Sequence, residues 1–244
     1  MDLSRPDPAV ARVRNERQQL SRDAFDFEFA ELDGATAPVH MPTEGVTKTG
    51  TTTVGLRADD GVVLATDRRA SAGRMVASKT VKKVEQIHPT GALTIAGSVS
   101  AAQSFLRSLR AEVSLYGVRR GEQMSMTALS TLAGNFLRSG AFLIVQPVLG
   151  GVDDDGAHVY SLDPLGATME EDYTVSGSGS QFALGVLEQE YASDLSMEDA
   201  STVAARSVHS ALERDTASGN GIVFAEVTAE GVEIEEFEDI QDAL

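Results

Sequence analysis

Apolar and polar positions along the chain change their pattern abruptly at Thr51. From there TTTVGLR (51–57) alternates and is rich in β-branched residues, which predicts a strand. GVVLATD (61–67) predicts a second, more buried strand after the turn residues 59–61. The two strands and their short turn predict a β-hairpin at the start of the folded domain.

Downstream, strand patterns alternate with pairs of helical patterns. Further strands are predicted at 92–99, 141–152, 157–163, near 171–176, 221–228 and 231–237. Helices are predicted at about 99–118, at about 125–138, from 180 to about 190, and at about 197–213 with Ser196 as N-cap. Strands broken by helix pairs predict antiparallel sheets that carry helices on their outer faces.

Residues 1–50 differ from the rest of the chain. They hold four of the seven prolines and clustered charges, with little apolar periodicity. Within them, 9–22 predicts a short polar helix and 34–50 an extended linker. We interpret 1–50 as a leader and 51–244 as the folded domain; an ordinary disordered tail is the alternative.

The composition narrows the class of protein. Hydrophobic residues make up 42% of the 244 positions, and no run of eighteen apolar residues predicts a membrane span. Because the N-terminus lacks the apolar segment of a signal peptide and cysteine is absent, we expect a cytoplasmic protein without disulfides or a Cys nucleophile. The net charge of −17 argues against nucleic acid and anionic membranes as partners.

The charged residues are unusual in kind as well as in balance. Only four of the 20 basic residues are lysines, beside 37 acidic residues. This composition is typical of proteins from salt-loving archaea, where strong salt screens the surface charge. A soluble acidic protein from another host is the alternative.

Two short motifs are excluded by their spacing. Asp153-Asp154-Asp155-Gly156 lacks the alternating ligands of an EF-hand and predicts a hairpin turn. Residues 177–180, GSGS, have neither the spacing of a nucleophile elbow nor the length of a phosphate loop. No pair of the four histidines has metal-ligand spacing.

The junction between Gly50 and Thr51 carries candidate chemistry. A threonine hydroxyl is a weak nucleophile until a base takes its proton, and a free N-terminal amine with a pKa of about 7.7–8.0 is such a base at neutral pH. That amine exists only if the Gly50–Thr51 bond is cut, and glycine permits the kink that brings the hydroxyl to the preceding carbonyl. Taken alone, a glycine before a strand is commonplace.

The distribution of lysines strengthens this hypothesis. Downstream of Gly50, every lysine lies within 78–83. A buried lysine shifts its pKa readily, and a cation beside the Thr51 amine favours the neutral, basic amine. The alternative is a solvated basic turn, which would account for Lys79 and Lys82.

Four sequence blocks stand in a fixed order along the chain: residues 51–87 (TTTVGLR through VEQI), 93–103 (LTIAGSVSAAQ), 176–188 (SGSGSQFALGVLE) and 214–221 (RDTASGNG). Together they resemble archaeal proteasome β subunits, which are N-terminal-nucleophile hydrolases. The resemblance covers nearly all of 47–230, and the leader and the acidic tail carry little of it. Four ordered blocks are far more specific than any one motif.

The resemblance implies a role for individual residues. Thr51 matches the nucleophile whose own amine is the general base, Asp67 matches the acidic partner that keeps Lys83 charged, and Lys83 lowers the pKa of the Thr51 centre. Gly97 matches the glycine whose N–H forms the oxyanion hole. The supporting hydrogen-bond network matches Ser178, Asp215 and Ser218.

Each of these residues has a structural alternative. Asp67 could end a strand in a turn and Asp215 could end a helix. Gly97 could allow close packing of a strand against a helix, and Ser178 could cap a helix.

The resemblance also implies how substrate binds. Ser71 matches a residue that pairs with the substrate backbone in a β-like manner. The pocket for the residue before the cut matches four apolar positions, Ala70, Val81, Ile95 and Val99. Cleavage after bulky apolar residues is therefore expected, with neighbouring subunits able to complete the pocket.

As a whole, the resemblance implies an α+β fold, the four-layer αββα sandwich. It also implies an enzyme that hydrolyses peptide bonds through an acyl ester on Thr51. No metal or organic cofactor is implied. The expected assembly is a seven-membered β ring stacked on an α ring and supplied with unfolded polypeptides by an ATP-driven unfoldase. The alternatives are a non-catalytic β subunit of the same ring, which would retain its leader, and the shorter bacterial two-ring peptidase.

Overall fold

The computed structural model describes residues 50–139, 142 and 144–244. These residues form twelve strands, four α-helices and a short 3₁₀ helix, Ile240–Ala243. The strands are β1 Thr52–Arg57, β2 Val62–Asp67, β3 Ala70–Ala72, β4 Met75–Ser78, β5 Val84–His88, β6 Gly91–Thr94, β7 Val148–Asp153, β8 Gly156–Leu162, β9 Thr168–Glu171, β10 Tyr173–Gly177, β11 Ile222–Thr228 and β12 Gly231–Phe237. The helices are α1 Val99–Arg120, α2 Met126–Arg138, α3 Ser180–Glu190 and α4 Met197–Leu212.

Two five-stranded antiparallel sheets form the centre of the fold. The first has the strand order β10-β1-β2-β11-β12 and the second the order β5-β6-β7-β8-β9. In the first sheet, β1 pairs with both β10 and β2, so that Thr53 lies opposite Thr66. The hairpin predicted from the alternation at 51–67 is therefore confirmed.

Three apolar cores separate the layers. One lies between the two sheets and consists largely of valines, which suit the pleated faces of strands. A second packs α1 and α2 against the second sheet. A third packs α3 and α4 against the first sheet. The result is the predicted four-layer αββα sandwich.

All four helix predictions are confirmed, and the cap residues explain where they begin. Ser98, Ser125 and Ser196 are N-caps whose side chains accept a backbone N–H from the first turn. The turn at 153–156 is also confirmed, with Gly156 at a positive φ of 117°. None of the described helices is long and apolar enough to cross a membrane.

Several strand predictions needed correction. The strand predicted at 92–99 ends at Thr94, because Gly97 leaves the sheet to form an isolated bridge with Val145. The strand predicted at 141–152 begins only at Val148, because Pro147 cannot donate to a ladder. The strand predicted near 171–176 corresponds to β10, whereas β9, which precedes it, was not predicted.

Four strands were not predicted from the periodicity of the sequence. They are β3, β4, β5 and β9, which are short and partly exposed, so that their sequences do not alternate cleanly. The helix predicted at 9–22 and the linker predicted at 34–50 lie outside the described residues, apart from Gly50.

Candidate active site

The fold brings three predicted residues together at one end of the sandwich. Thr51 directly precedes β1, Asp67 ends the neighbouring antiparallel strand β2, and Lys83 directly precedes β5 of the other sheet. All three are buried, with exposed fractions of 4%, 0% and 4% respectively.

The Lys83 ammonium lies between the other two side chains. Its Nζ donates a hydrogen bond to Thr51 Oγ1 and another to Asp67 Oδ1, at 2.6 Å. Burial lowers the pKa of Lys83, because desolvation disfavours the charged form, and the Asp67 carboxylate opposes this shift without cancelling it. The Lys83 side chain thus links the Thr51 hydroxyl to the Asp67 carboxylate.

The Asp67 carboxylate is fully satisfied although it is buried. Oδ1 accepts from the Thr52 N–H at 3.0 Å as well as from Lys83. Oδ2 accepts from the Arg69 N–H at 3.0 Å and from the Gly219 N–H at 2.9 Å. Such bonds to a carboxylate offset the cost of its burial and fix its orientation.

A second network surrounds the Thr51 nitrogen. The Thr51 N–H donates to Ser178 Oγ at 3.1 Å, and Ser178 Oγ donates to Asp215 Oδ2 at 2.6 Å. Ser218 Oγ donates to the same carboxylate oxygen at 2.7 Å and lies 2.8 Å from Thr52 Oγ1. The three supporting residues predicted from the resemblance therefore form one connected chain of hydrogen bonds to Thr51.

The structural alternative fails for Ser178 and holds in part for Asp215. Ser178 is not the cap of α3, because the N-cap is Gly179 and no side chain caps this helix. Asp215 lies three residues beyond Leu212, the last residue of α4, but its N–H still donates to the Ala211 carbonyl at 2.7 Å and so closes the end of the helix.

A cavity of about 80 Å³ opens beside Thr51. Thr51, Lys83 and Gly97 line it, together with the four predicted pocket residues, Ala70, Val81, Ile95 and Val99. Ser71 is not part of the lining; its Oγ accepts a hydrogen bond from the Gly50 N–H at 3.0 Å. The four apolar positions thus share one wall, next to the predicted nucleophile.

The lining also includes polar residues that the sequence did not reveal, Arg69, Lys82, Glu85 and Gln103. Two of them are already paired. Arg110 Nη2 lies 2.7 Å from Glu85 Oε2, and Lys82 forms an ion pair with Glu236. These partners offset the charges of Glu85 and Lys82.

Gly97 adopts a positive φ of 114°. A Cβ at this position would overlap the Ile144 carbonyl oxygen. Only glycine fits here, for steric and conformational reasons together. The alternative for Gly97 was close packing of a strand against a helix; the structure instead shows close approach to the Ile144 backbone, which lies in a turn.

Gly50 is also sterically required. A Cβ there would overlap the Ala217 side chain and lie 2.9 Å from Ser178 Oγ. The sequence argument for Gly50 rested on its backbone freedom. The structure adds a second reason, because Gly50 packs closely against the loop that follows α4.

Sequence reasoning missed the residues that hold this loop. Arg69 Nε donates to Asn220 Oδ1 at 2.9 Å, and Arg69 Nη1 donates to the Thr216 carbonyl at 2.8 Å. Asn220 is at a positive φ of 68°, which asparagine tolerates better than most residues. The available signals were an arginine two positions after Asp67 and an Asn-Gly pair.

Two antiparallel sheets between two helical layers, with a buried threonine at the head of a central strand, define the N-terminal-nucleophile hydrolase fold. The family model for the proteasome subunit matches residues 47–227. The chain belongs to this family of protease subunits.

Similar proteins come from haloarchaea, as the lysine-poor acidic composition predicted. The chain is 66% identical to the proteasome subunit beta of Haloquadratum walsbyi over 222 residues, 91% of each chain. It is 62% identical to that of Halorubrum lacusprofundi over 243 residues, 100% of this chain and 98% of the relative. It is 61% identical to that of Haloferax volcanii over 219 residues, 90% of each chain.

Proposed function

We propose that the chain is the precursor of a catalytic proteasome β subunit, a threonine endopeptidase. Residues 1–50 are the leader and 51–244 the peptidase domain, which becomes active when the Gly50–Thr51 bond is cut. The observation that carries the proposal is the Lys83 ammonium, bonded at once to the Thr51 hydroxyl and to the buried Asp67 carboxylate.

The Thr51 hydroxyl also cuts the Gly50–Thr51 bond that activates the subunit. Thr51 Oγ1 attacks the Gly50 carbonyl, the hydroxyl proton passes to the scissile nitrogen, and the C–N bond breaks to leave the Thr51 amine, with Gly50 held as an ester on Oγ1. Water then hydrolyses the ester and releases the leader. The steric need for glycine at position 50 supports this step, because a larger residue would displace Ser178 or Ala217.

Peptide hydrolysis then uses the new amine as base. It takes the Oγ1 proton as the oxygen attacks a substrate carbonyl, and the Gly97 N–H stabilises the resulting oxyanion. The amine returns the proton to the departing peptide nitrogen, leaving an acyl ester on Thr51. A water, deprotonated by the same amine, hydrolyses the ester and restores the hydroxyl.

The surrounding residues tune and orient this centre. Lys83 favours the neutral amine and the nucleophilic oxygen, and Asp67 keeps Lys83 in place. Ser178, which now accepts from the Thr51 nitrogen, would orient the amine, backed by Asp215 and Ser218. Ala70, Val81, Ile95 and Val99 favour a bulky apolar residue before the cut, and Ser71 would pair with the substrate backbone.

The assembly belongs to the same proposal. A heptameric β ring, stacked on a ring of α subunits in the cytoplasm, would enclose the sites. An ATP-driven unfoldase acting through the α ring would supply unfolded polypeptides. Enclosure would spare folded proteins from a peptidase of broad specificity.

The alternative is a non-catalytic β subunit that keeps the fold and the ring contacts. Thr51, Asp67 and Lys83, bonded to one another, count against it. The two differ in one observable, because a non-catalytic subunit would keep its leader in the assembled particle.

N-terminal sequencing of the assembled particle tests the proposal. We expect every active copy to begin at Thr51. The variant Thr51→Ala should retain residues 1–50 and lose peptidase activity, with Thr80→Ala as a control for a threonine outside the site. Normal peptide hydrolysis by particles whose copies all begin at Met1, or by Thr51→Ala, would refute it.

A further inference from the structure

Two pairs of charged neighbours meet at the active site. Asp67 and Arg68 follow each other at the end of β2, and Lys82 and Lys83 precede β5. Asp67 and Lys83 form the buried ion pair. Their chain neighbours, Arg68 and Lys82, both bind the Glu236 carboxylate on β12. Arg68 Nη2 lies 3.2 Å from Glu236 Oε2, and Lys82 Nζ contacts Glu236 Oε1. One carboxylate therefore ties together the two segments that carry the catalytic pair.

Arg68 depends on this carboxylate. Its side chain is only 8% exposed, and its Nε has no hydrogen-bond partner among the residues that the structure describes. Leaving a buried cation without a counter-ion is strongly unfavourable, so Glu236 is a structurally demanding position. The Lys82 side chain is 56% exposed. Solvent and salt therefore reach its ion pair with Glu236.

The Lys83 segment has few other restraints. Residues 79–83 lie between β4 and β5, outside any strand. The Val81 N–H donates to the Arg68 carbonyl at 3.0 Å, and the Ile95 N–H donates to the Lys83 carbonyl at 2.6 Å. These bonds fix the backbone, and the pairing of Lys82 with Glu236 adds a side-chain anchor directly beside Lys83.

We propose that Glu236 is a positioning residue for the peptidase: by holding Arg68 and Lys82 it fixes the geometry of the Asp67–Lys83 pair. This inference rests on the proposed function. It also gives a role to Lys82, for which the sequence offered only a place in a solvated basic turn.

Glu236 balances the charges of Arg68 and Lys82, which are the chain neighbours of Asp67 and Lys83. Asp67 and Asp215 raise the pKa of Lys83, whereas burial and Arg69 lower it. Removing the charge of Glu236 would leave its two cations uncompensated, and nearby positive charge disfavours further protonation. The acid limb of the pH–rate profile, which reports the catalytic base, should therefore move to lower pH.

The experiment compares Glu236→Gln and Glu236→Asp with wild type in the fully assembled particle. The substrate is a fluorogenic peptide with an apolar residue before the cut. We expect Glu236→Gln to lower kcat by about tenfold with little change in KM, since small misplacements of catalytic groups cost up to about 100-fold. Its acid limb should shift to lower pH, and Glu236→Asp should restore the wild-type limb. Glu235→Gln, an exposed neighbour on the same strand, is the matched control and should match wild type.

A crystal structure of Glu236→Gln separates this inference from the proposed function. We expect Lys83 Nζ to move beyond hydrogen-bond distance of Asp67 Oδ1, now 2.6 Å away. Unchanged Lys83 geometry, or wild-type kcat and pH profile in Glu236→Gln, would overturn the positioning role. An inactive wild type with displaced Lys83 in the variant would instead refute the peptidase and leave the positioning role standing.

Discussion

Two aspartates in this molecule end a strand in nearly the same way, at opposite places in the fold. Asp67 ends β2 and accepts three backbone N–H groups and the Lys83 ammonium. Asp153 ends β7 and accepts the N–H groups of Met126 and Asp155, at 2.6 and 3.0 Å, and the His158 ring at 3.0 Å. Local chemistry alone does not distinguish them.

The difference lies in what else the basic partner touches. Lys83 reaches a threonine hydroxyl that lines a cavity. His158 reaches a second carboxylate, Glu170 on β9, at 2.7 Å, and so joins three adjacent strands. In the proposed function the first arrangement activates a nucleophile, whereas the second is a structural clip that also holds the start of α2.

The largest effect is expected from replacing Lys83, the basic partner of Asp67 at the candidate active site. Lys83→Arg keeps a positive charge but cannot offer a compact, proton-sharing amine, so kcat should fall by about 10²–10⁴. Peptide hydrolysis by the assembled particle measures this. Lys79→Arg, in the same segment but exposed, should leave the rate unchanged. A fully active Lys83→Arg would mean that only the charge matters.

The next largest effect is expected from two glycines at positive φ: Gly97 at the candidate active site and Gly156 beside Asp153. Gly97→Ala should reduce kcat by about 10²–10³, because a Cβ would push the Ile144 carbonyl and displace the oxyanion donor. Gly156→Ala, at nearly the same φ beside the Asp153 clip, meets no atom within 4 Å. It should cost only about 1 kcal/mol of stability and no activity. Equal losses of kcat in both variants would show that backbone strain alone explains Gly97.

The smallest effect is expected at the clip itself. Burial would raise the pKa of Asp153, but hydrogen bonds from the Met126 and Asp155 N–H groups and the His158 ring outweigh it and lower the pKa below 3.8. Asp153→Asn should therefore lower the free energy of unfolding by about 1–3 kcal/mol at neutral pH, with normal kcat.

The pH dependence of this difference follows from linkage. A depressed folded-state pKa contributes stability above the unfolded value, and that contribution disappears as the pH falls through the folded pKa. Thermal melts of Asp153→Asn and wild type should thus differ most near pH 7 and converge in strong acid. A gap that stays constant into strong acid would contradict the linkage.

Much of the fold was predictable because it depends on local periodicity. The hairpin at 51–67 and all four helices follow from apolar spacing, and three of the helices also from serine caps. The short, partly exposed strands β3 and β5 were missed because their sequences carry no clean alternation. The strand assigned to 92–99 ended early because Gly97 turns toward Val145, a contact that no local pattern encodes.

The residues of the candidate site also divide into those that the sequence predicted and those that it did not. Thr51 stood out as the first residue of a strand after glycine, and Lys83 as one of few lysines in an arginine-rich chain. Arg69, Asn220 and Glu236 were missed because their roles are contacts with distant parts of the chain.

By itself, the sequence determined the order of the strands and helices, the acidic surface and the concentration of lysines next to a Gly-Thr junction. These are properties of residues and of their near neighbours. Only the tertiary structure decided that Ser178 and Asp215 meet at the Thr51 nitrogen and that Glu236 spans Arg68 and Lys82. The physical reason is that packing two sheets face to face brings distant residues together, and this burial is the largest cause of the lowered pKa of Lys83.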